Sequence, residues 1–182
     1  MKINLLLSLG LVLISALHAH GLVYDKNADW QEFSGEWRSI LLASSDASRI
    51  KNGGDMKLFI NKIKSHNDNV VFDVFSKEGE KCVSNAITAE KEKDSNVLHV
   101  PYGGENRIYI YRSDRNKAFI LITINIQDGI KTIIIELYGR PTYDVSKKLI
   151  TDYYNVCKHH GIPEDNIIDM TKEDECYRNK EQ

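Results

Sequence analysis

Short runs in which apolar and polar residues alternate follow one another along most of the chain. Met56, Leu58 and Ile60 are each separated by one residue, and Phe72 and Val74 show the same spacing. Because successive side chains of a β-strand point to opposite faces, this pattern predicts strands with one face toward a core. Eight such runs are predicted to be strands: Glu36–Ser44, Asp55–Ser65, Asn69–Lys77, Glu80–Glu90, Val97–Tyr102, Glu105–Ser113, Ala118–Gln127 and Lys131–Tyr138.

Turn-forming residues separate these runs. Examples are Asn52-Gly53-Gly54, Gly103-Gly104 and Asp128-Gly129, all of which suit tight reversals of the chain. Connections this short join antiparallel neighbours. The sequence therefore predicts an all-β fold, an eight-stranded antiparallel up-and-down β-barrel.

A helical period replaces the alternation after Pro141. Either Asp144 or Ser146 can serve as the N-cap of this helix. The last two predicted strands, FILITINI and TIIIELYG, are apolar on both faces, so we expect one C-terminal α-helix to pack on the outside of the sheet. Asn166–Met170 then predicts a short closing strand. The apolar residues at helical spacing are Val145, Leu149, Tyr153, Val156 and Cys157.

The first stretch of the chain, MKINLLLSLGLVLISALHA, has an early lysine, an apolar run and a small residue suited to cleavage. It predicts a secretory signal peptide over residues 1–19, with the cut after Ala19 or at a neighbouring position. Residues 20–182 are then predicted to form a single secreted, extracellular domain without membrane insertion. The formal net charge of −2 gives no electrostatic reason to expect a nucleic-acid partner.

The chain has three cysteines, which allow three pairings in an oxidising compartment. Because Cys157 falls in the predicted helix, a disulfide between Cys82 and Cys176 is favoured. Cys157 is then either a reactive thiol or a buried cysteine that packs as a small hydrophobic residue, and we favour the second interpretation.

The sequence carries no motif for hydrolase, metalloprotease or phosphate-binding chemistry. The neighbouring His159 and His160 point about 100° apart on a helix and are poorly placed to share a metal ion. We therefore predict no enzyme activity, no catalytic residues, no metal site and no cofactor.

A family resemblance covers nearly all of the chain after the predicted signal peptide. Gly35-Glu36-Trp37 resembles the Gly-x-Trp signature that opens the first strand of lipocalins. The run from YGRPTY to the last cysteine is similar to the C-terminal third of the major urinary protein and odorant-binding branch. Cys82 and Cys176 match the positions of that branch's disulfide. The sequence departs from the family at Ser113-Asp114-Arg115, where the usual tyrosine after the aspartate is missing.

The resemblance implies a closed end and a cavity. Arg140 is expected to lie across Trp37 and to form a cation–π contact with it at the closed end. Gly35 is expected to let the chain turn into the first strand at that end. Tyr138 and Tyr102 are expected to be polar anchors for a ligand. The residues that match the cavity lining of the branch are Met56, Leu58, Ile60, Phe72, Val74, Ile87, Val100, Tyr102, Ile108, Leu121, Thr123, Ile134 and Tyr138.

Together these features predict a secreted carrier of small apolar molecules, such as odorants or pheromones, that acts in chemical communication. The expected partner is a small apolar volatile ligand, and a cell-surface receptor is a further candidate partner. We expect a monomer or a weak homodimer. The alternative hypothesis is a protein signal whose surface is recognised by a receptor and whose cavity is incidental.

Overall fold

The structure, a computed structural model, describes residues 23–79, 81–114 and 116–173. The predicted signal peptide and Cys176 lie outside these ranges, so both the cleavage site and the pairing of Cys82 with Cys176 stay predictions. Within these ranges two α-helices follow β9, α1 at Lys147–His159 and α2 at Met170–Glu173. The strands are β1 Gly35–Glu36, β2 Arg38–Ser44, β3 Phe59–His66, β4 Asn69–Glu78, β5 Lys81–Lys91, β6 Leu98–Pro101, β7 Glu105–Asp114, β8 Ala118–Gln127, β9 Ile130–Gly139 and β10 Ile167–Asp169.

The strands form one antiparallel sheet in the order β1-β3-β4-β5-β6-β7-β8-β9-β2-β10. From β3 to β9 each strand pairs with the next one along the chain, as expected for a meander. Strands β1 and β2 are separated by Trp37 alone, yet β1 pairs with β3 and β2 pairs with β9. The backbone through Trp37 therefore brings the two sides of the meander together, and the sheet curls around an interior.

The predicted all-β class and meander are confirmed, with two differences in detail. The predicted first strand is divided at Trp37, whose N–H donates to the Asn61 carbonyl at 2.9 Å. Residues 55–58 were predicted to open the second long strand, but they form turns instead, since the Met56 N–H donates to the Arg49 carbonyl. Among the described residues the division of the first strand turns the eight predicted long strands into nine, and the short β10, which was also predicted, is the tenth.

Helix α1 packs on the outer face of the sheet, as the sequence predicted. The Ser146 hydroxyl caps the helix by accepting a hydrogen bond from the Leu149 N–H at 3.3 Å. Tyr153 is fully buried, and its hydroxyl donates to the Ile135 carbonyl of β9 at 3.1 Å. The buried face of the helix meets a cluster of outward-facing apolar residues of β8 and β9, namely Ala118, Ile120, Ile122, Ile135 and Leu137.

Cys157 lies in the same helix–sheet layer. It is buried, and it is the free cysteine of the described part of the chain. Burial raises the pKa of its thiol to about 12. A thiol with so high a pKa is protonated at neutral pH, so this environment is that of a packing residue rather than a nucleophile.

The closing strand β10 pairs with β2 through Ile168 and Leu42, which confirms the short strand predicted near the C-terminus. Within the three described ranges, no helix is both long and apolar enough to cross a membrane.

Candidate functional site

A cluster of aromatic side chains fills one end of the interior. The ring centroids of Trp37 and Phe119 are 4.5 Å apart in an edge-to-face arrangement, and Phe33 lies 4.8 Å from Phe119. The Trp37 indole N–H donates to the Phe33 carbonyl at 2.6 Å. All three side chains are at most 1% exposed. Packing of this kind leaves no room for a ligand at this end of the sheet.

Arg140, the residue after β9, covers the aromatic cluster from outside. Its guanidinium carbon lies 3.8 Å from the centre of the Trp37 ring, which is the contact that the family resemblance implied. The same group donates to the carbonyls of Asn116 at 2.8 Å, Glu36 at 3.0 Å and Ser34 at 3.1 Å. Arg140 therefore ties two segments of backbone together over the closed end, the stretch 34–36 and the turn that contains Asn116.

Gly35 is required for this arrangement on two grounds. Its φ of +116° lies in the region that residues with a side chain rarely adopt. In addition, a Cβ atom at this position would lie 2.7 Å from Nη1 of Arg140. The glycine thus lets the guanidinium approach the backbone between the N-terminal segment and β1.

The departure from the family pattern at Ser113-Asp114-Arg115 is accompanied by a contact from another tyrosine. Asp114 accepts a hydrogen bond of 2.6 Å from the hydroxyl of Tyr143, which follows β9. Arg115 lies outside the described residues. The aspartate at this corner therefore has a phenol partner although the adjacent tyrosine of the family is missing.

A cavity of about 70 Å³ lies above the aromatic cluster. Its wall contains every side chain that the resemblance implied as lining: Met56, Leu58, Ile60, Phe72, Val74, Ile87, Val100, Tyr102, Ile108, Leu121, Thr123, Ile134 and Tyr138. Two polar residues that the sequence reasoning missed, Asn106 and Glu136, complete the wall. Most of the lining is apolar, so the space suits an apolar guest.

Glu136 lies on the inner face of β9, two residues before Tyr138. Its Oε1 accepts a hydrogen bond of 2.5 Å from the Tyr138 hydroxyl, and its Oε2 accepts one of 3.4 Å from the Thr123 hydroxyl. Glu136 is half-buried, and its side chain lines the cavity. Burial raises the pKa of Glu136, and the two hydroxyl groups oppose that effect only in part.

A polar network stands at the end of the interior opposite Trp37. Arg49 binds both carboxylate oxygens of Asp55, at 2.6 and 2.7 Å, and also donates to Asn125 at 3.0 Å and to the Gly103 carbonyl at 3.2 Å. The Tyr102 hydroxyl donates to the Asp55 carbonyl at 3.2 Å. These bonds tie the loop between β2 and β3 to the loop between β6 and β7, and both loops contribute side chains to the cavity wall.

Alternation contained a signal for both missed residues. Glu136 lies between Ile134 and Tyr138 in the period of two, and Asn106 stands two residues before Ile108. Strict application of the period places all of them on the inner face. Their polarity argued against an inward position, because buried polar groups are costly unless they are hydrogen-bonded.

Comparison with known proteins agrees with this geometry. Mouse epididymal-specific lipocalin-9 is 36% identical over 177 residues, which cover 95% of this chain and 98% of that protein. Mouse major urinary protein 4 is 30% identical over 178 residues, which cover 98% of this chain and 99% of that protein. The solved structure of the possum milk whey lipocalin trichosurin with bound 4-ethylphenol has a TM-score of 0.74 and 27% identity, and the match covers 79% of this chain and 99% of that one.

The family assignment follows from the extent of the match. Residues 34–174 match the Lipocalin / cytosolic fatty-acid binding protein family. This range contains all ten described strands and helix α1. The relatives include major urinary proteins, in agreement with the branch that the C-terminal third of the sequence resembles. The chain therefore belongs to the lipocalin / cytosolic fatty-acid binding protein family and falls within the branch that contains the major urinary proteins.

Proposed function

We propose that the protein is a secreted carrier that holds a small hydrophobic molecule in the cavity and acts in chemical communication. The observation that carries the proposal is the cavity itself, which is mainly apolar, enclosed by the curled sheet and closed at one end by Trp37 and Arg140. Membership of the family supports a binding protein rather than an enzyme. The structure of trichosurin with bound 4-ethylphenol supports a small aromatic guest.

The size of the cavity restricts the ligand. A single water needs about 10–15 Å³ of cavity volume on the same basis. The space of about 70 Å³ is therefore several times larger than one water requires. This volume suits a compact volatile compound and is too small for a long-chain lipid.

The expected affinity follows from the apolar area that such a molecule buries. A ligand of about ten heavy atoms that buries about 300 Å² gains roughly 7 kcal/mol at about 25 cal/mol per Å². Loss of translational and rotational freedom opposes this gain by several kcal/mol, while dispersion contacts in a preformed site add to it. A dissociation constant in the micromolar range results, which permits slow release of a volatile molecule.

Displacement of a fluorescent apolar probe tests the proposal. Ile87→Phe adds bulk to the cavity wall and is expected to weaken binding of the probe about tenfold or more. The matched control is Ile130→Phe, since Ile130 is 69% exposed at the start of β9 and the same change there leaves the cavity untouched. Equal affinity of the two variants would contradict binding in this cavity, and failure of the native protein to bind any apolar probe at high micromolar concentration would favour recognition of the protein surface instead.

Two further measurements address secretion and the native ligand. Mass spectrometry of the mature protein is expected to show removal of residues 1–19. Extraction of the native protein with organic solvent, followed by mass spectrometry of the extract, is expected to release a small apolar compound. An extract without any stoichiometric small molecule, together with an intact N-terminus, would count against a secreted carrier.

A further inference from the structure

The cavity contains one carboxyl group in otherwise largely apolar surroundings. Glu136 shares the inner face of β9 with Ile134 and Tyr138, and the side chains across the cavity from the other strands are mostly aliphatic or aromatic. Among the described residues that line the cavity, none is a lysine, arginine or histidine. The protein therefore supplies no cation to balance this carboxyl group from the cavity wall.

The hydrogen-bond donors of the wall are already used. The Asn106 amide donates to the carbonyls of Val100 and Tyr102, at 2.9 and 2.6 Å, and the Tyr102 hydroxyl donates to the Asp55 carbonyl. The hydroxyl of Tyr138 donates to Glu136 itself, as described above. The side-chain donors that could meet a ligand are thus turned toward protein acceptors.

Acceptor capacity remains at Glu136. An ionised carboxylate offers about four lone-pair sites, whereas the hydroxyls of Tyr138 and Thr123 occupy two of them. A ligand that brings its own N–H or O–H group would supply a donor to this carboxylate. A hydrogen bond to a charged group is stronger than one between neutral groups. In a site without water it is stronger still, because the low local dielectric screens the attraction less than water does.

We propose that Glu136 selects, among small apolar molecules, those that carry a hydrogen-bond donor, namely a hydroxyl or amino group on a compact hydrocarbon skeleton. The inference rests on the proposed carrier function and specifies its ligand class. An ammonium group is favoured over a hydroxyl group, since it also balances the charge of the carboxylate. An ether or a pure hydrocarbon of the same shape binds only through its apolar surface.

The selection depends on pH in a defined direction. The titratable groups near Glu136 are the phenols of Tyr138 and Tyr102 in the cavity and that of Tyr153 on the helix side of the sheet. Burial raises the pKa of Tyr102 and of Tyr153, so neither phenol gains charge between pH 5 and 8. Glu136 is the carboxyl group of the cavity wall, and the affinity of the cavity for donor-bearing ligands increases as the pH rises and this carboxyl group ionises.

Four compounds with closely related skeletons test the proposal by titration calorimetry. They are 4-ethylbenzylamine, 4-ethylphenol, 4-ethylanisole and 1,4-diethylbenzene. The native protein at pH 7.5 is expected to bind the amine and the phenol at least fivefold more tightly than the ether. Glu136→Gln is expected to reduce affinity for the amine tenfold or more and to change affinity for the ether less than twofold. Glu90→Gln, a change of the same kind at an exposed position of β5, is the matched control.

The pH dependence of the native protein keeps the test independent of any variant. Phenols and alkylamines have pKa values near 10 and do not titrate between pH 5 and 8. Affinity for 4-ethylphenol is expected to rise with pH as Glu136 ionises, while affinity for 1,4-diethylbenzene stays constant. Equal affinity for the phenol and the ether, with no change on Glu136→Gln, would overturn the assignment. Failure of 1,4-diethylbenzene and every other compound to bind would instead refute the proposed carrier function.

Discussion

Replacement of Arg140 by alanine tests how the closed end of the interior is held together. The side chain makes a cation–π contact with Trp37 at 3.8 Å and donates hydrogen bonds to the carbonyls of Asn116, Glu36 and Ser34. Arg140→Ala removes all of these contacts in one step. Two of the carbonyls lie in the stretch 34–36, and the third lies in the turn between β7 and β8, so the side chain joins two segments that are far apart in sequence.

The expected loss can be worked out contact by contact. A partly shielded cation–π contact contributes about 1 to 2 kcal/mol. Each hydrogen bond from a charged donor contributes about 1.5 kcal/mol or more when buried, but water reaches these carbonyls once the side chain is removed, which lowers the cost. We expect a decrease of about 3 kcal/mol in the free energy of unfolding. For a domain of this size, that change lowers the melting temperature by about 6 to 12 °C.

Urea titration followed by circular dichroism measures the free energy, and tryptophan fluorescence reports on the surroundings of Trp37. Arg140→Lys keeps the charge but not the planar donor group, so an intermediate loss is expected. Arg107→Ala is the control. The Arg107 side chain likewise combines hydrogen bonds to an acceptor, here the Glu92 carboxylate, with a ring contact, 5.7 Å from the centre of Tyr109, yet it is 54% exposed. A loss below 1 kcal/mol for Arg140→Ala, or one no larger than that for Arg107→Ala, would refute the reasoning.

Three further predictions concern other positions. Gly35→Ala is expected to destabilise the protein more than Gly129→Ala, since both glycines have positive φ but only the Cβ at position 35 meets Arg140; equal melting temperatures would contradict this. Cys157 is expected to react with a thiol reagent only after unfolding, because its pKa is about 12 and it is buried, and rapid labelling of the native protein would disprove the assignment. Burial raises the pKa of Glu136 above its unfolded value. The stability linked to this group is therefore full below about pH 4.3 and is lost as the pH rises through the folded pKa. Urea titration of Glu136→Gln is expected to show a higher free energy of unfolding than that of the native protein at pH 7 and an unchanged one at pH 4.

The family resemblance implied most of the cavity wall, and alternation along the strands supplies the physical reason, which is local. A strand in a curled sheet must place every second side chain inside, so positions such as Ile108, Leu121 and Thr123 follow from the sequence once the strand is known. Glu136 and Asn106 obey the same rule. A carboxyl or amide group is costly inside unless it has partners, and the sequence does not show that hydroxyl and carbonyl groups on other strands supply them.

The parts of the fold that the sequence did not predict depend on contacts between distant residues. The turns over residues 55–58 follow an ion pair between Arg49 and Asp55, and Arg49 is in turn held by Asn125 and Gly103. Neither the residue spacing nor the turn propensities of that segment indicate that these residues are its partners. The break of the first strand at Trp37 has a similar origin, since the two halves pair with β3 and β9.

The closed end of the interior and the cavity therefore have different roles, the first in stability and the second in ligand choice. At the closed end the contacts of Gly35, Trp37 and Arg140 involve backbone carbonyls and packed rings, so a ligand is excluded there. The residues that identify the family therefore say nothing of the chemistry of the ligand. Chemical discrimination requires a polar group that faces the cavity and is not fully satisfied by the protein. Glu136 meets both conditions, because it lines the cavity and accepts only two hydroxyl donors. Differences in ligand preference between this chain and a relative should therefore follow the residue at this position more closely than the Gly-x-Trp signature.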